Sequence, residues 1–414
     1  MRALIRRLLA TAAVGVAVAA LALALAAPGA PAVTVDPGQC AWPLKADPDL
    51  LNIAWPDEGA RYWATPFVAA PGTTMTIRGR FPHARYMSFH LYEGSTPVDA
   101  LTDVDIAPER GVNPFVTGAR RDQPGTYTVR VAAGPRPERP EPNTLYAGSL
   151  NGEPNVTGVI LYRIYLPEGD SRGGAGLPDV HYGVGDDGAA LAPPLPPCQD
   201  AAPTVPATLN PLIRAADLPY DAQRSSSPAP AWGISRSRPQ PTTAGPVTVR
   251  TGNAFFANFD NVYLSLLVTR DAGDLVAFRA RAPTFADTRG ATRMPGGQVR
   301  YWSICSNDFP TTRYVACLAD EQAAIDAGGY VTVVVSDPAH KPRNLRPEDN
   351  WLPAGAYPDI FVLYRQMLPA PDFDQAIARA PDAAAAPGTM GPYYPDTRVC
   401  STAQFERDRC ALGG

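Results

Sequence analysis

Leu161-Tyr162-Arg163-Ile164-Tyr165-Leu166-Pro167 and Leu363-Tyr364-Arg365-Gln366-Met367-Leu368-Pro369 are one phrase, Leu-Tyr-Arg-x-x-Leu-Pro, written once in each half of the chain. Reading backwards from both, further matches come in the same order. Glu141–Gly148 (Glu-Pro-Asn-Thr-Leu-Tyr-Ala-Gly) corresponds to Glu348–Gly355 (Glu-Asp-Asn-Trp-Leu-Pro-Ala-Gly). Arg85-Tyr86-Met87-Ser88 corresponds to Arg300-Tyr301-Trp302-Ser303, and Arg78-Gly79-Arg80-Phe81-Pro82 to Arg279-Ala280-Arg281-Ala282-Pro283. Residues 60–167 and 261–369 are therefore two copies of one unit, and the chain serves as its own alignment. Copy two carries one extra loop, Asp287–Gly297, between Pro283 and Arg300.

Short stretches in each copy alternate or run apolar between Gly, Pro, Asn and Asp, the pattern of strands separated by turns. They are Thr74–Phe81, Arg85–Tyr92, Tyr127–Ala132 and Gly158–Leu166 in copy one. In copy two they are Val262–Thr269, Leu275–Ala280, Val299–Ile304, Tyr330–Ser336 and Ile360–Leu368. Val331–Val335 and Ile360–Leu363 are apolar at consecutive positions, which suits central strands covered on both faces. With 47 prolines and 35 glycines in 414 residues, short strands are favoured over long helices. Each copy is about 110 residues, the size of one β-sandwich.

The motifs Arg300-Tyr301-Trp302-Ser303, Asn350-Trp351-Leu352-Pro353 and Leu363-Tyr364-Arg365…Leu368-Pro369 resemble the bacterial family called domain of unknown function 1214. Ser303-Ile304-Cys305-Ser306-Asn307 departs from that family, which has a hydrophobic residue and then Tyr-Asp there. The resemblance implies two tandem jelly-roll-like sandwiches and brings no established activity or catalytic residue. The expected division is residues 1–32 as signal peptide, 33–187 as first sandwich and 188–247 as a Pro/Ala/Ser-rich connector. The second sandwich is expected over 248–372 and a C-terminal tail over 373–414. Leu209–Asp217 in the connector has the look of a short helix.

Arg2, Arg6 and Arg7 precede an apolar run, Leu8–Ala27, and an A-x-A site at Ala30-Pro31-Ala32, the layout of a cleaved secretory signal. Uncleaved, the same run would anchor the chain in a membrane, the one membrane role expected. Export to the envelope or medium places six cysteines in an oxidising compartment, where disulfides form. Cys305 and Cys317 align with His90 and Ala100, so both are present in one copy and both absent from the other, as a bonded pair requires. Cys400 and Cys410 are neighbours, and Cys40 and Cys198 bracket the first copy. Zinc is disfavoured by the lack of C-x-x-C spacing.

The net charge of −4 argues against nucleic acid as a partner. No Walker loop, H-E-x-x-H or G-x-S-x-G elbow occurs, and no cofactor is implied. Tyr86, Ser88, His90 and Tyr92 share one side of a strand and form an outward polar–aromatic stripe. That makes Tyr86, His90 and Tyr92 candidate ligand-binding residues, with an exposed or interface stripe as the structural alternative. Arg80 and Arg281, with Arg78 and Arg279, make a basic ridge on each copy that could hold acidic sugars or phosphate. Arg163 and Arg365 lie among apolar neighbours and require paired carboxylates. The acids kept in both copies are Glu93/Asp308, Glu141/Glu348 and Asp103/Asp320, so structural ion pairs are expected. Asp99, Asp103 and Asp105 alternate as calcium ligands would but lack the rest of that pattern. Trp302 and Trp351 read as core, whereas Trp42, Trp55, Trp63 and Trp232 are free to be exposed. The reading is a non-enzymatic exported protein that binds a glycan or cell-wall polymer. The alternative is a secreted hydrolase or lyase with its site between the sandwiches.

Overall fold

The computed structural model describes residues 40–45, 48, 52–70, 72–94, 96–149, 153–184, 189–190, 195, 231–236 and 256–413. The signal segment, Cys198 and the Leu209–Asp217 stretch lie outside the described residues. The first half supplies β1 (Leu44–Lys45), β2 (Ala60–Val68), β3 (Thr73–Arg80), β4 (Tyr86–Glu93), β5 (Thr96–Thr102), β6 (Thr126–Ala133), β7 (Thr144–Ala147), β8 (Thr157–Tyr165), β9 (Asp179–Val184) and β10 (Ala189–Ala190). The second supplies β11 (Gly233–Arg236), β12 (Asn261–Thr269), β13 (Leu275–Arg281), β14 (Val299–Asp308), β15 (Arg313–Ala319), β16 (Tyr330–Ser336), β17 (Asp349–Pro353), β18 (Asp359–Pro369) and β19 (Asp396–Cys400).

These strands form two sheets per half, β1-β2-β8-β4-β5 with β10-β9-β3-β6-β7, and β11-β12-β18-β14-β15 with β17-β16-β13-β19. The chain is two tandem jelly-roll-like sandwiches produced by duplication. Every strand of the second half has its counterpart at the same place in the first. Register proves the equivalence residue by residue. Arg163 faces Tyr62 and Ser88 across the sheet, as Arg365 faces Tyr263 and Ser303. Asn143 bonds Ala107 and Thr128, and Asn350 bonds Ala324 and Thr332 in the same way.

Alternation decides which way each strand faces. Met87, Phe89 and Leu91 of β4 enter the first core with Ile77, Val129 and Tyr162. Trp302 and Ile304 of β14 enter the second with Phe278, Val333 and Val362. The continuous apolar runs do lie on central strands: β16 sits between β17 and β13, and β18 between β12 and β14.

The expected boundaries shift at three places. Leu195, assigned to the connector, packs against the first core. The connector's end supplies β11, and Trp232 is buried in the second core with its Nε1 donating to Thr397 at 2.8 Å. The tail is part of the second sandwich. Phe373, Ile377, Met390 and Tyr393 fill its core, and β19 pairs with β13 as β9 pairs with β3. Trp42 and Trp63 are buried rather than exposed, while Trp55 and Trp351 are half-buried. Cys305–Cys317 and Cys400–Cys410 are bonded as the spacing predicts, and Cys40 is disulfide-bonded too.

Candidate functional site

The predicted stripe on β4 points away from its own core but never reaches solvent. Tyr86, Ser88 and His90 are wholly buried, because the second sandwich covers them. The segment before β12 crosses over. Tyr86 OH donates to Asp260 at 2.7 Å, Tyr92 OH donates to the Ala257 carbonyl at 2.7 Å, and Phe259 N–H donates to His90 Nε2 at 3.0 Å. The equivalent segment before β2 crosses the other way. Asp57 accepts from Tyr301 OH at 2.9 Å and from Ser303 Oγ at 2.6 Å.

His90 is held in a state that cannot serve as a base toward its neighbour. A backbone N–H can only donate, so Nε2 is an acceptor and the ring proton of the neutral imidazole sits on Nδ1. Nδ1 lies 3.1 Å from Ser88 Oγ and therefore donates to it. In a nucleophilic dyad the proton runs the other way, from serine to histidine.

The two closing-strand arginines are buried, as expected, but their partners differ from those expected. Arg163 donates to Tyr92 OH at 2.5 Å and to the Phe256 carbonyl at 2.6 Å. Arg365 donates to the Trp55 carbonyl at 2.6 Å and lies 3.8 Å from Asp57. Glu141 is exposed in the loop before β7 and Glu348 half-buried in the turn before β17, and neither forms an ion pair with these arginines among the described residues. A paired lock does exist, on other arginines. Arg85 reaches Asp320 at 2.9 Å and Arg300 reaches Asp103 at 3.1 Å, each arginine holding the other copy's carboxylate. Burial pushes Asp103 and Asp320 up to about 6, opposed by the arginines and by backbone N–H groups of Met87 and Trp302. Asp99 instead pairs with Arg136 at 2.8 Å, so the calcium spacing leads to separate partners.

The copy-two loop Asp287–Gly297 straps onto copy one. Gly118 N–H donates to Met294 O, Met294 N–H to Ala119 O, and Arg121 N–H to Thr292 O. The rim and centre between the sandwiches are thus crossed by reciprocal hydrogen bonds and ion pairs. Asp57, Cys305 and Cys317 come within metal-ligand range of one another, but the two sulfurs are joined to each other. The seam has the polar residues of a site and the packing of a core.

A second place differs between the copies and is open. On the outer face of β3, Thr74, Thr76, Arg78 and Arg80 alternate with core residues Met75 and Ile77. Register sets Arg130 and His181 on either side of Thr76, Thr128 and Asp179 on either side of Arg78, and Thr126 beside Arg80. Arg78, Arg80 and Arg130 are exposed and make no ion pair among the described residues. Adjacent arginines of one strand stand about 7 Å apart on such a face. Burial and the nearby Arg78 pull the His181 pKa down.

Copy two replaces this face with apolar residues and covers it. Leu275, Ala277 and Val334 stand where Thr74, Thr76 and Arg130 stand, and Phe405 of the short helix Thr402–Asp408 packs on them with Leu412. Arg279 pairs with Asp326 at 2.5 Å, and Arg281 lies over the Tyr393 ring. In the second ridge Arg279 is thus held by its own chain, while Arg281 stays exposed. Among the predicted ligand-binding residues Arg80 and Arg281 are exposed, and Arg80, with its neighbour Arg78, stands on the face that carries no overlying tail among the described residues.

Sequence reasoning missed Arg85, Arg300, Asp57 and Asp260 as seam residues and Arg130 as a face residue. Arg85 and Arg300 were visible in the repeated Arg-Tyr-x-Ser phrase. Arg130 carries no signal until register places it beside Thr76.

No family model matches the chain, and no curated protein matches it. Among solved structures, it is similar to an uncharacterised protein from Burkholderia cenocepacia, at 16% identity and a TM-score of 0.48, covering 90% of this chain and 85% of that one. It is also similar to the VPA0106 protein from Vibrio parahaemolyticus, at 10% identity and a TM-score of 0.36, covering 83% of this chain and 90% of that one.

Proposed function

We propose that the chain is an exported, non-enzymatic protein of the cell envelope or extracellular space that binds an acidic glycan or wall polymer on the outer β9-β3-β6 face of its first sandwich. The observation that carries this reading is the contrast between equivalent faces. One is apolar and covered by the chain's own tail, whereas the other carries exposed Arg78, Arg80 and Arg130 with threonine hydroxyls, set against the carboxylates of Asp179 and of Glu109, which holds the Thr128 hydroxyl. Guanidinium groups suit carboxylate and phosphate, and hydroxyls suit sugar. A basic face on a chain of net charge −4 is a local feature, not a consequence of overall composition. The disulfides support an oxidising compartment. No helix among the described residues is long and apolar enough to cross a membrane.

A glycan array carrying uronate- and phosphate-bearing polymers beside neutral ones tests the proposal. Retention of the acidic polymers, weakening as salt screens the charges, is expected. Equal retention of neutral polymers, or none of any class, would overturn it.

A further inference from the structure

We infer that the seam is a self-sufficient interface of the kind that joins two subunits, and that the two sandwiches stay together as a specific pair without the connector. Its centre is self-complementary, as an isologous interface is. Arg85–Asp320 answers Arg300–Asp103, Arg163 to the Phe256 carbonyl answers Arg365 to the Trp55 carbonyl, and Tyr86–Asp260 answers Tyr301–Asp57. Arg85 and Arg300 also donate to one another's carbonyl oxygen, at 3.5 and 3.2 Å. Association takes these guanidinium and carboxylate groups out of water, and the reciprocal pairing, with the added carbonyl contacts, offsets that desolvation.

The rim is not symmetric, and that gives the pairing its specificity. The Asp287–Gly297 loop belongs to copy two, and the strip that receives it, Gly118–Arg121, belongs to copy one. Asn52, in the segment that precedes copy one, clasps the Tyr314 backbone of copy two through both its amide atoms, at 2.9 and 2.8 Å. A pair of first copies would lack the loop, and a pair of second copies would lack its landing strip. The surface therefore fits one sandwich of each kind. Neither disulfide with both partners described crosses the seam, since both lie in the second half.

The test is to place a site-specific protease sequence in the connector between Cys198 and Trp232 and cut the folded full-length protein. Cleavage complete on a denaturing gel, with the pieces co-eluting at the position of the uncut protein after dilution, is the expected result. Pieces that separate or precipitate on cutting would overturn the inference. A companion variant with Asp287–Gly297 replaced by a short turn should remain one folded species uncut, yet release its pieces at higher concentration than the wild-type pair once cut. Unchanged dissociation would contradict the role given to the loop.

Discussion

Arg85 is a guanidinium with no access to water, held by Asp320 on the second sandwich and by Thr288 Oγ1 at 3.2 Å. Arg85→Ala leaves a buried carboxylate without its counter-charge, a loss on the order of 3–5 kcal/mol. Combining it with Asp320→Asn removes the stranded charge, so thermal melting of the double variant should recover part of the loss. No recovery would mean that the pair acts through packing alone. The same groups set a pH dependence. Unfolded, Asp103 and Asp320 titrate near 3.8; folded, near 6, chiefly through burial. Between those values the folded chain keeps protons that the unfolded chain has released, so this contribution is full at low pH and fades as pH rises through about 6. The melting temperature should fall between about pH 4 and about pH 6 and level off above that. Asp103→Asn with Asp320→Asn should flatten that slope, and an unchanged slope would assign it elsewhere. His181 behaves in the opposite sense toward a ligand: its lowered pKa leaves it neutral at neutral pH, and protonation beside Arg78 adds positive charge to the face. Acidic-glycan affinity should therefore rise as pH drops below the usual histidine range, and His181→Gln should remove that rise.

Strands β4 and β14 show how far sequence pattern reaches. Period-two alternation assigned Met87, Phe89 and Leu91 to the core and Tyr86, Ser88 and His90 to the other side, and both assignments hold. What lies over that other side depends on segments from the opposite half, and no local pattern encodes it. The same limit applies to β3 and β13. Both carry an Arg-x-Arg pair, but only β13 is overlaid by a tail whose residues sit far away in sequence. Deleting residues from Asp396 onward removes β19 and the helix that packs on Leu275, Ala277 and Val334. The truncated protein should bind a hydrophobic dye strongly and melt earlier, whereas retained stability without dye binding would contradict the assigned role. Strand equivalence offers a sharper check. His90 faces Ala100 across β4 and β5 as Cys305 faces Cys317 across β14 and β15. His90→Cys with Ala100→Cys should therefore form a disulfide in copy one, detectable by mass spectrometry of non-reduced peptides. Free thiols at both positions would contradict the register.

For the whole molecule, the duplication was legible because repeated strands must satisfy the same pairing and core, and that constraint keeps their order in the sequence. The mutual embrace was not legible, because a pair such as Arg85 and Asp320 is separated by 235 residues. Pairing Arg163 and Arg365 with Glu141 and Glu348 failed for the same reason. Shared acids and shared arginines were identified, but which copy each reaches depends on how the two sandwiches dock. Docking also moves His90, Tyr86 and Tyr92 from candidate ligand contacts to seam residues. The proposed ligand contact then rests with the β9-β3-β6 face of the first sandwich. The most direct measurement is arginine-selective chemical labelling, mapped by peptide mass spectrometry, with and without a saturating acidic polysaccharide. Protection of Arg78, Arg80 and Arg130 is expected, with the exposed Arg343 and Arg407 elsewhere labelled as before. Binding that leaves these three fully labelled, or protection confined to another surface, would contradict it.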